Sequence, residues 1–362
     1  MIFKPTALSM AMVAICSAGS VVAGGADVTL MPTEILFEKG NYVEISSARV
    51  TPNVTGTTVA PKISMLPSYS ANTLAFKIDL NDKVSVGYAD YLSAGIFVDY
   101  RDTGAIGAFV DLSIRSRLLA AKYQIDDNMS IFGGLKYSKT SDARANVLKN
   151  VKGNLSIPSA TDSALALGFA YEKPEIALRV SGLYQSATKF DLPMTSDRAG
   201  YGTLVNGKAG LPKSMTLRFQ SGIAKDTLIF GSAHRGDWLN AQIEFDTDNA
   251  GSTAPLGVLA ARSSFTTTTA YTLGLGRKLS EKYAVSAIYG WEKGSGATGE
   301  SLLATTNGKK SLTLGGKFTT GRMALSVGYS MIKLGDYTRT TGSYVFNDNS
   351  AKVIGVKLSL SL

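Results

Sequence analysis

Apolar and polar residues alternate one by one over many stretches of about ten residues in this chain. In 352–362, every second residue from Ile354 to Leu362 is apolar, and glycine, lysine and serine lie between them. Side chains on a β-strand point to opposite faces with a period of two, so each stretch predicts a two-faced strand. The apolar face of each strand must then be covered, either by a second layer of protein or by lipid.

The same alternation recurs along nearly the whole chain and predicts about fourteen strands, within one or two. The polar face consists mainly of Ser, Gly, Thr, Lys, Arg and Gln, which cannot form the second apolar layer of a soluble sandwich. The apolar face must therefore meet lipid, and we predict an all-β fold, a single transmembrane antiparallel β-barrel. The other runs are 41–50, 73–80, 84–100, 110–125, 129–137, 163–171, 176–186, 215–223, 227–235, 239–245, 271–279, 283–291, 312–318 and 323–331.

Short and long connections alternate between these runs. Short turn signals rich in Asn, Asp, Pro, Gly and Ser separate one set of strand ends, whereas long polar stretches separate the other set. Membrane barrels show this asymmetry, with short periplasmic turns and long extracellular loops. The short signals fall at 81–82, 126–128, 173–174, 225–226, 280–281 and 321, and the long stretches are 138–162, 187–212, 246–267, 293–310 and 335–351.

The first 23 residues differ in composition from the rest. Lys4 is the only charge before Asp27, and the stretch between them is short, apolar and rich in small residues. This pattern is typical of a secretory signal peptide. We therefore expect a signal peptide at 1–23, a short N-terminal segment at 24–40 and a barrel at 41–362, located in a bacterial outer membrane.

Composition argues against several classes of function. Cys16 lies in the predicted signal peptide, and His234 is the only histidine, which leaves little for metal binding or nucleophilic catalysis. The glycine pattern at 294–299 lacks the long helix that dinucleotide binding requires. We expect a protein that is not an enzyme, with no metal and no cofactor. The net charge of +9 is scattered, which favours anionic lipid or anionic ligands over nucleic acid.

Several charged residues lie at alternate positions between the apolar residues of their strands. We place them on the inward faces, because an unpaired charge facing lipid is costly. One interpretation is a salt-bridge network that fills the lumen. The other is that cations hold an anionic head group, for which we single out Arg179, Arg218 and Lys317. Parity alone leaves both open. The inward charged residues are Lys77, Asp79, Lys136, Arg179, Arg218, Glu244 and Lys317.

Several stretches, in collinear order, resemble the long-chain fatty-acid transporter family of outer-membrane barrels, the FadL/TodX family. The resemblance covers essentially the whole chain after residue 23. It implies a monomeric fourteen-stranded barrel that takes up fatty acids or aromatic hydrocarbons, holds them in the lumen and releases them sideways into the membrane. The stretches are 35–42, 171–179, 211–212, 219–222, 226–232 and 332–336.

The chain departs from the family at its N-terminal plug. Only about 17 residues separate Gly24 from Asn41, and the Asn-Pro-Ala motif of the family plug is absent. Leu30, Leu36 and Phe37 are the residues that we expect to block the lumen partly.

A change of alternation phase at Leu118-Leu119 predicts a bulge or kink, and Arg115, Arg117, Leu118 and Leu119 are therefore candidates for the lateral opening. The function that we expect is passive uptake of hydrophobic small molecules, foremost long-chain fatty acids. A general porin and a structural or adhesive barrel are the alternatives. The first predicts an occluded lumen with an apolar pocket, a porin predicts steady ion conductance, and an adhesin predicts a filled lumen.

Overall fold

The computed structural model describes residues 25–56, 64–103, 108–146, 154–197, 205–245, 262–294, 298–299, 301–304, 306–339 and 344–362. The predicted signal peptide, 1–23, lies outside them. None of the described helices is long and apolar enough to cross a membrane. The strands are β1 (Tyr42–Asn53), β2 (Tyr69–Asp79), β3 (Val84–Asp99), β4 (Phe109–Gln124), β5 (Met129–Thr140), β6 (Ala143–Asn146), β7 (Leu155–Ile157), β8 (Thr161–Lys173), β9 (Leu178–Gln185), β10 (Thr188–Ser196), β11 (Val205–Leu211), β12 (Ser214–Ala224), β13 (Thr227–Gly236), β14 (Thr268–Lys278), β15 (Tyr283–Glu292), β16 (Thr298–Gly299), β17 (Lys309–Thr320), β18 (Met323–Leu334), β19 (Tyr337–Arg339), β20 (Val345–Phe346) and β21 (Ser350–Ser361).

Fourteen of these strands form a closed antiparallel wall, which confirms the predicted barrel. The first and last strands, β1 and β21, pair with each other from Tyr42↔Ser361 to Asn53↔Ser350 and close the cylinder. A closed wall leaves no unpaired strand edge, as a structure surrounded by lipid requires. The order around the wall is β1, β2, β3, β4, β5, β8, β9, β12, β13, β14, β15, β17, β18 and β21.

The two ends of the barrel differ as predicted. Six tight turns lie at one end, which we call the turn end; Asp226 and Gly321 reverse the chain there with positive φ angles of 57° and 55°. Long connections lie at the opposite end, which we call the loop end. The chain enters β1 and leaves β21 at the turn end, where Leu362 N donates to Asn41 O over 2.8 Å.

The outer surface of the wall is apolar. Large side chains that alternate along each strand are exposed there, and a contiguous apolar surface of this extent is incompatible with water. Tyr271, Trp291 and Tyr289 stack in sequence on this outer face, with ring centroids 5.1 and 5.8 Å apart. The wall therefore spans a membrane. Examples of the outward residues are Leu74, Phe76 and Ile78 in β2, Leu165, Leu167 and Phe169 in β8, Leu325 and Val327 in β18, and Ile354, Val356 and Leu358 in β21.

The loop end carries a hydrophobic core of its own, built from the long connections. Strands β6, β7, β10 and β11 extend the wall there, while β16, β19 and β20 form a small separate sheet. Tyr100 Oη donates to Leu302 O over 2.9 Å, and Tyr337 Oη donates to Ser301 O over 3.2 Å. The β15–β17 connection is thus joined to the loop end of β3 and to the β18–β21 connection. In the described part of the chain, this loop-end core joins residues of the wall strands, the N-terminal segment and the long connections in one buried cluster.

Two local predictions about strands are wrong. The run 239–245 is not a wall strand, because the chain turns away after β13: Trp238–Asn240 forms a short 3-10 turn, and Glu244 lies in the loop-end connection, where it pairs with Arg262 at 2.9 Å. Glu244 therefore does not face the lumen from a strand.

The predicted bulge at Leu118-Leu119 is also wrong. Both residues pair with β3 and β5 without a register shift, Leu118 facing inward and Leu119 outward. Leu118 is apolar because it packs on the N-terminal segment inside the barrel, together with Met31 and Leu36. The register shift of this wall lies in β3 instead, between Leu92 and Ala94.

Candidate ligand-binding site in the lumen

The N-terminal segment, residues 25–41, runs through the inside of the barrel. It forms a short antiparallel bridge with the irregular part of β3, where Val28 N donates to Ser93 O and Gly95 N donates to Ala26 O, over 2.9 and 3.0 Å. On the opposite wall, Trp238 Nε1 donates to Asp27 Oδ2 over 2.9 Å. The segment is thus held from both sides of the lumen.

Leu30, Leu36 and Phe37, the residues expected to block the lumen, lie on this segment inside the barrel. Leu36 is fully buried, and Leu30 lines the cavity described below. Phe37 meets Phe132 edge-on with ring centroids 5.4 Å apart. Leu36 and Phe37 pack against inward residues of the wall, and a role in blocking the lumen stays a prediction.

A small cavity lies beside the segment, between it and the wall. It has about 20 Å³ of free space, room for about one water molecule. A larger ligand fits at this place only if a lining element moves, and the N-terminal segment supplies part of the lining. The lining includes Asp27, Thr29, Tyr91, Lys136, Leu183 and His234.

Lys136 is one of the charged residues that line this cavity. It lies on the inward face of β5 and is 1% exposed. Its Nζ makes no hydrogen bond or ion pair with any described residue; the electrostatic attraction of Asp27 is the favourable interaction that acts on it. A buried ammonium is costly unless it is paired, so the cavity is suited to an anionic group.

Two further polar atoms of the cavity lack a hydrogen-bond partner among the described residues. They are Thr29 Oγ1 and His234 Nε2. The other ring nitrogen of His234 is 2.8 Å from Thr216 Oγ1, and Nε2 lies 3.6 Å from Asp27 Oδ2, beyond hydrogen-bond distance. An amine, a hydroxyl and an imidazole thus converge on one small space.

The pKa of Asp27 is lowered. Burial raises the pKa of this carboxyl, but the nearby His234 ring and the hydrogen bond from Trp238 outweigh burial and keep it below the ordinary value of 3.8. Asp27 is therefore a carboxylate at neutral pH. It attaches the N-terminal segment and partly compensates the charge of Lys136.

Arg179 and Arg218, two of the predicted head-group residues, converge on one carboxylate of the N-terminal segment. Arg179 Nη2 donates to Glu34 Oε2 over 2.9 Å, and Arg218 Nε lies 3.5 Å from Glu34 Oε1. The guanidinium of Arg179 also lies 4.4 Å from the centre of the Phe37 ring. Both cations are engaged with the segment, near the turn end of the barrel.

Lys317, the third predicted residue, lies apart from these two. It is on β17 and interacts electrostatically with Glu38 and Glu44 on another side of the lumen. The structure therefore brings Arg179 and Arg218 together but leaves Lys317 in a different charge cluster. Much of the lumen charge therefore forms ion pairs, as the first interpretation predicts, and the binding of a head group by these cations stays a prediction.

The predicted lateral-opening residues lie on the outer side of β4, except Leu118. Arg115 and Arg117 face outward and both pair with Asp90 of β3, Arg117 at 3.2 Å. The facing strand contains the register shift, and Ser93 at that shift donates its hydroxyl to Ile114 O over 2.8 Å. The irregular seam between β3 and β4 is therefore adjacent to the predicted position.

No cluster of three or more His, Cys, Asp or Glu that is able to hold a metal ion occurs among the described residues. Among the described residues, the lumen contains ion pairs, apolar side chains and the buried amine of Lys136, which has no ion-pair partner there. Such a site can bind and position a small amphipathic molecule.

The fold matches solved channels over nearly the whole chain. A FadL homologue of Pseudomonas aeruginosa superposes with a TM-score of 0.71 at 10% identity and 99% coverage of both chains. The toluene transporter TodX of Pseudomonas putida gives 0.64 at 13% identity, with 100% of both chains covered. The monoaromatic hydrocarbon channel CymD gives 0.61 at 12% identity, over 96% of this chain and 97% of that one. No family model and no curated protein matches the sequence.

The chain is therefore a fourteen-stranded transmembrane barrel. Its fold is that of the FadL/TodX channels, which confirms the predicted resemblance at the level of fold.

Sequence reasoning placed Lys136 in the lumen but did not select it as a binding residue. Parity gave its direction, and no local pattern distinguished it from Arg179 or Arg218. The distinguishing property is the missing carboxylate partner, which depends on residues such as Glu34 that are remote in the sequence.

Proposed function

We propose that this protein is a monomeric channel of the bacterial outer membrane for the passive uptake of hydrophobic small molecules. A closed barrel with an even number of antiparallel strands is the architecture of single-chain outer-membrane proteins. Its turn end then faces the periplasm and its loop end the outside. The N-terminal segment lies inside the lumen and packs into the loop-end core, which supports a gated channel over an open porin.

The ligand that we propose is a long-chain fatty acid, and the observation that carries this is the unpaired Lys136 amine inside the lumen. A carboxylate placed at Nζ satisfies the buried charge, and Thr29 Oγ1 and His234 Nε2 are available to complete its hydrogen bonds. The apolar chain would follow Leu183 and Tyr91. Arg179 and Arg218 offer a second cationic position once Glu34 leaves them.

Because the cavity is small, binding and movement of the N-terminal segment are coupled in this proposal. Leu30, Leu36 and Phe37 then act as the plug, held by Glu34 and Asp27. Release occurs sideways at the irregular seam that Arg115, Arg117, Leu118 and Leu119 line with β3. Lateral release keeps a hydrophobic solute out of water throughout its passage.

A second candidate is the uptake of neutral aromatic hydrocarbons. It is favoured by two of the structures with this fold, which are a toluene transporter and a monoaromatic hydrocarbon channel. A neutral ring forms no ion pair with Lys136, so uptake of fatty acids should depend on this residue and uptake of aromatic hydrocarbons should not. An adhesive barrel, by contrast, would take up neither kind of molecule.

The test is uptake of labelled oleate and of labelled toluene by cells that lack their own long-chain fatty-acid transporter, with and without this gene. We expect the gene to restore oleate uptake and Lys136→Met to lower it by about tenfold or more, the value of a lost charged hydrogen bond. Lys136→Arg keeps the charge and should retain more of the activity. Lys173→Met, at the exposed end of β8, is the control and should behave as the wild type.

If oleate uptake is unchanged by the gene while toluene uptake rises, the second candidate replaces the first. Steady ion conductance of the purified protein in planar bilayers would instead establish a porin.

A further inference from the structure

Three lysines form a patch on the outer face of the wall near the loop end. Lys310 of β17, Lys333 of β18 and Lys352 of β21 are exposed and have the outward parity of Leu312, Met331 and Ile354. We call them the outer lysine patch.

The register places these lysines beside one another on three adjacent strands. Lys310 and Lys333 are directly opposite each other. Lys352 is opposite Met331, one outward position from Lys333, which makes it the diagonal neighbour of that lysine. Directly opposed residues have Cβ atoms about 5 Å apart and diagonal ones about 7–8 Å apart, within reach of three flexible lysine side chains.

The patch lies where the apolar surface ends. On each strand the next outward residue toward the turn end is apolar: Leu312, Met331 and Ile354. Trp291, opposite Lys310 on β15, is an outward aromatic residue of the kind that settles at the membrane interface. The three amines are therefore at the level of lipid head groups, in the leaflet on the loop-end side.

Inward lysines of the same strands are neutralised, whereas the outer ones are not. Lys309 of β17 lies 3.4 Å from Glu292, and Lys357 of β21 lies 3.1 Å from Glu44. No described carboxylate lies within ion-pair distance of Lys310, Lys333 or Lys352. Like charges directly opposite on a sheet are destabilising, so an anion from outside the chain would stabilise this arrangement.

We propose that the outer lysine patch binds the phosphate groups of a phosphorylated glycolipid in the outer leaflet of the membrane. Phosphate is the anion that combines high charge with several acceptor oxygens, and lysine binds it as a point charge. Position decides between sources: a lipid carries its phosphate at the level where the amines lie, with its acyl chains against Leu312, Met331 and Ile354. Arg49 of β1, also outward and exposed, extends the patch to a fourth strand.

The test measures binding of lipid A to the purified full-length mature barrel in neutral detergent, by native mass spectrometry and by the temperature of heat-induced gel-mobility change. Diphosphorylated lipid A is compared with the same lipid after removal of its phosphates and with inorganic phosphate alone. The variant is Lys310→Gln/Lys333→Gln/Lys352→Gln. The control is Lys83→Gln/Lys225→Gln/Lys282→Gln, which removes the same charge from exposed positions at the turn end.

We expect the wild type and the turn-end control to bind diphosphorylated lipid A at least about tenfold more tightly than the dephosphorylated lipid. Inorganic phosphate should not raise the temperature of the heat-induced gel-mobility change. The outer-patch variant should lose that preference, and the corresponding triple lysine-to-arginine variant should keep it. The proposal is overturned if the wild type does not distinguish the two lipids, if the outer-patch variant still does, or if the control loses the preference equally. Protection by inorganic phosphate alone would also overturn the assignment to a lipid. Oleate uptake is not involved, so the outcome is independent of the transport proposal.

Discussion

Glu34 of the N-terminal segment accepts a hydrogen bond from Arg179 of β9 over 2.9 Å inside the barrel. The same carboxylate lies 3.5 Å from Arg218 Nε. A carboxylate of the chain itself thus occupies the two arginines that the sequence offered for a ligand, and it joins the segment to the wall.

Glu34→Gln should weaken this attachment and raise the channel activity. Loss of an interaction with charged partners is worth about 1–3 kcal/mol, which shifts the segment toward its displaced position. Planar-bilayer conductance and oleate uptake should both increase. Glu175→Gln, at an exposed turn, serves as control. Equal conductance of the two variants would show that Glu34 does not hold the N-terminal segment in place.

The attachment of the segment should be lost at low pH. The pKa of Asp27 is lowered relative to 3.8 in the folded protein, so its contribution is fully present above that value and disappears as the pH falls through the lowered pKa. Trp238 contacts this carboxylate directly, and its fluorescence in a Trp291→Phe background should report the change. Asp27→Asn should abolish the transition; a transition that persists in this variant would assign it to another group.

Gly134→Ala should destabilise the barrel. A Cβ at Gly134 would come within 2.0 Å of the carbonyl oxygen of Leu119 on the neighbouring strand, and this backbone atom cannot move without breaking the wall. We expect a loss of about 1–3 kcal/mol in the free energy of unfolding, measured by urea titration in detergent. Gly316→Ala is the matched control because nothing lies within 4 Å of a Cβ at that position. Equal urea midpoints of unfolding for the two variants would show that β4 and β5 shift enough to accommodate the added methyl group.

Lys357→Met should weaken the closure of the barrel. Lys357 is 2% exposed and lies 3.1 Å from Glu44, so the pair crosses the seam between β21 and β1. Removal of one partner of a buried pair costs about 3–5 kcal/mol because the other charge stays buried. The double variant Glu44→Gln/Lys357→Met should recover much of the stability in the same titration. Additive losses would instead indicate that the two residues act separately.

The alternation of β18 and β21 predicted their inward and outward faces residue by residue, because a strand has one periodicity and lipid tolerates one kind of side chain. Prediction failed where an apolar residue contacts protein inside the barrel or at the loop end and does not face lipid. Leu118 faces inward and packs with the N-terminal segment. Because it is apolar and precedes the outward Leu119, the sequence alone predicts a change in the phase of the alternation. The run 239–245 failed similarly, since apolar residues such as Ile243 and Phe245 belong to the loop-end core and not to a lipid-facing strand.

The sequence by itself determined the two-faced strands, the alternation of turns and loops, and hence the barrel. These features are local, and the membrane imposes one solution on them. Only the tertiary structure decided which charges are satisfied: Arg179 meets Glu34, 145 residues away in the chain, while Lys136 meets no carboxylate in the described part of the lumen. Pairing of this kind depends on the position of the N-terminal segment across the lumen, which strand periodicity does not encode.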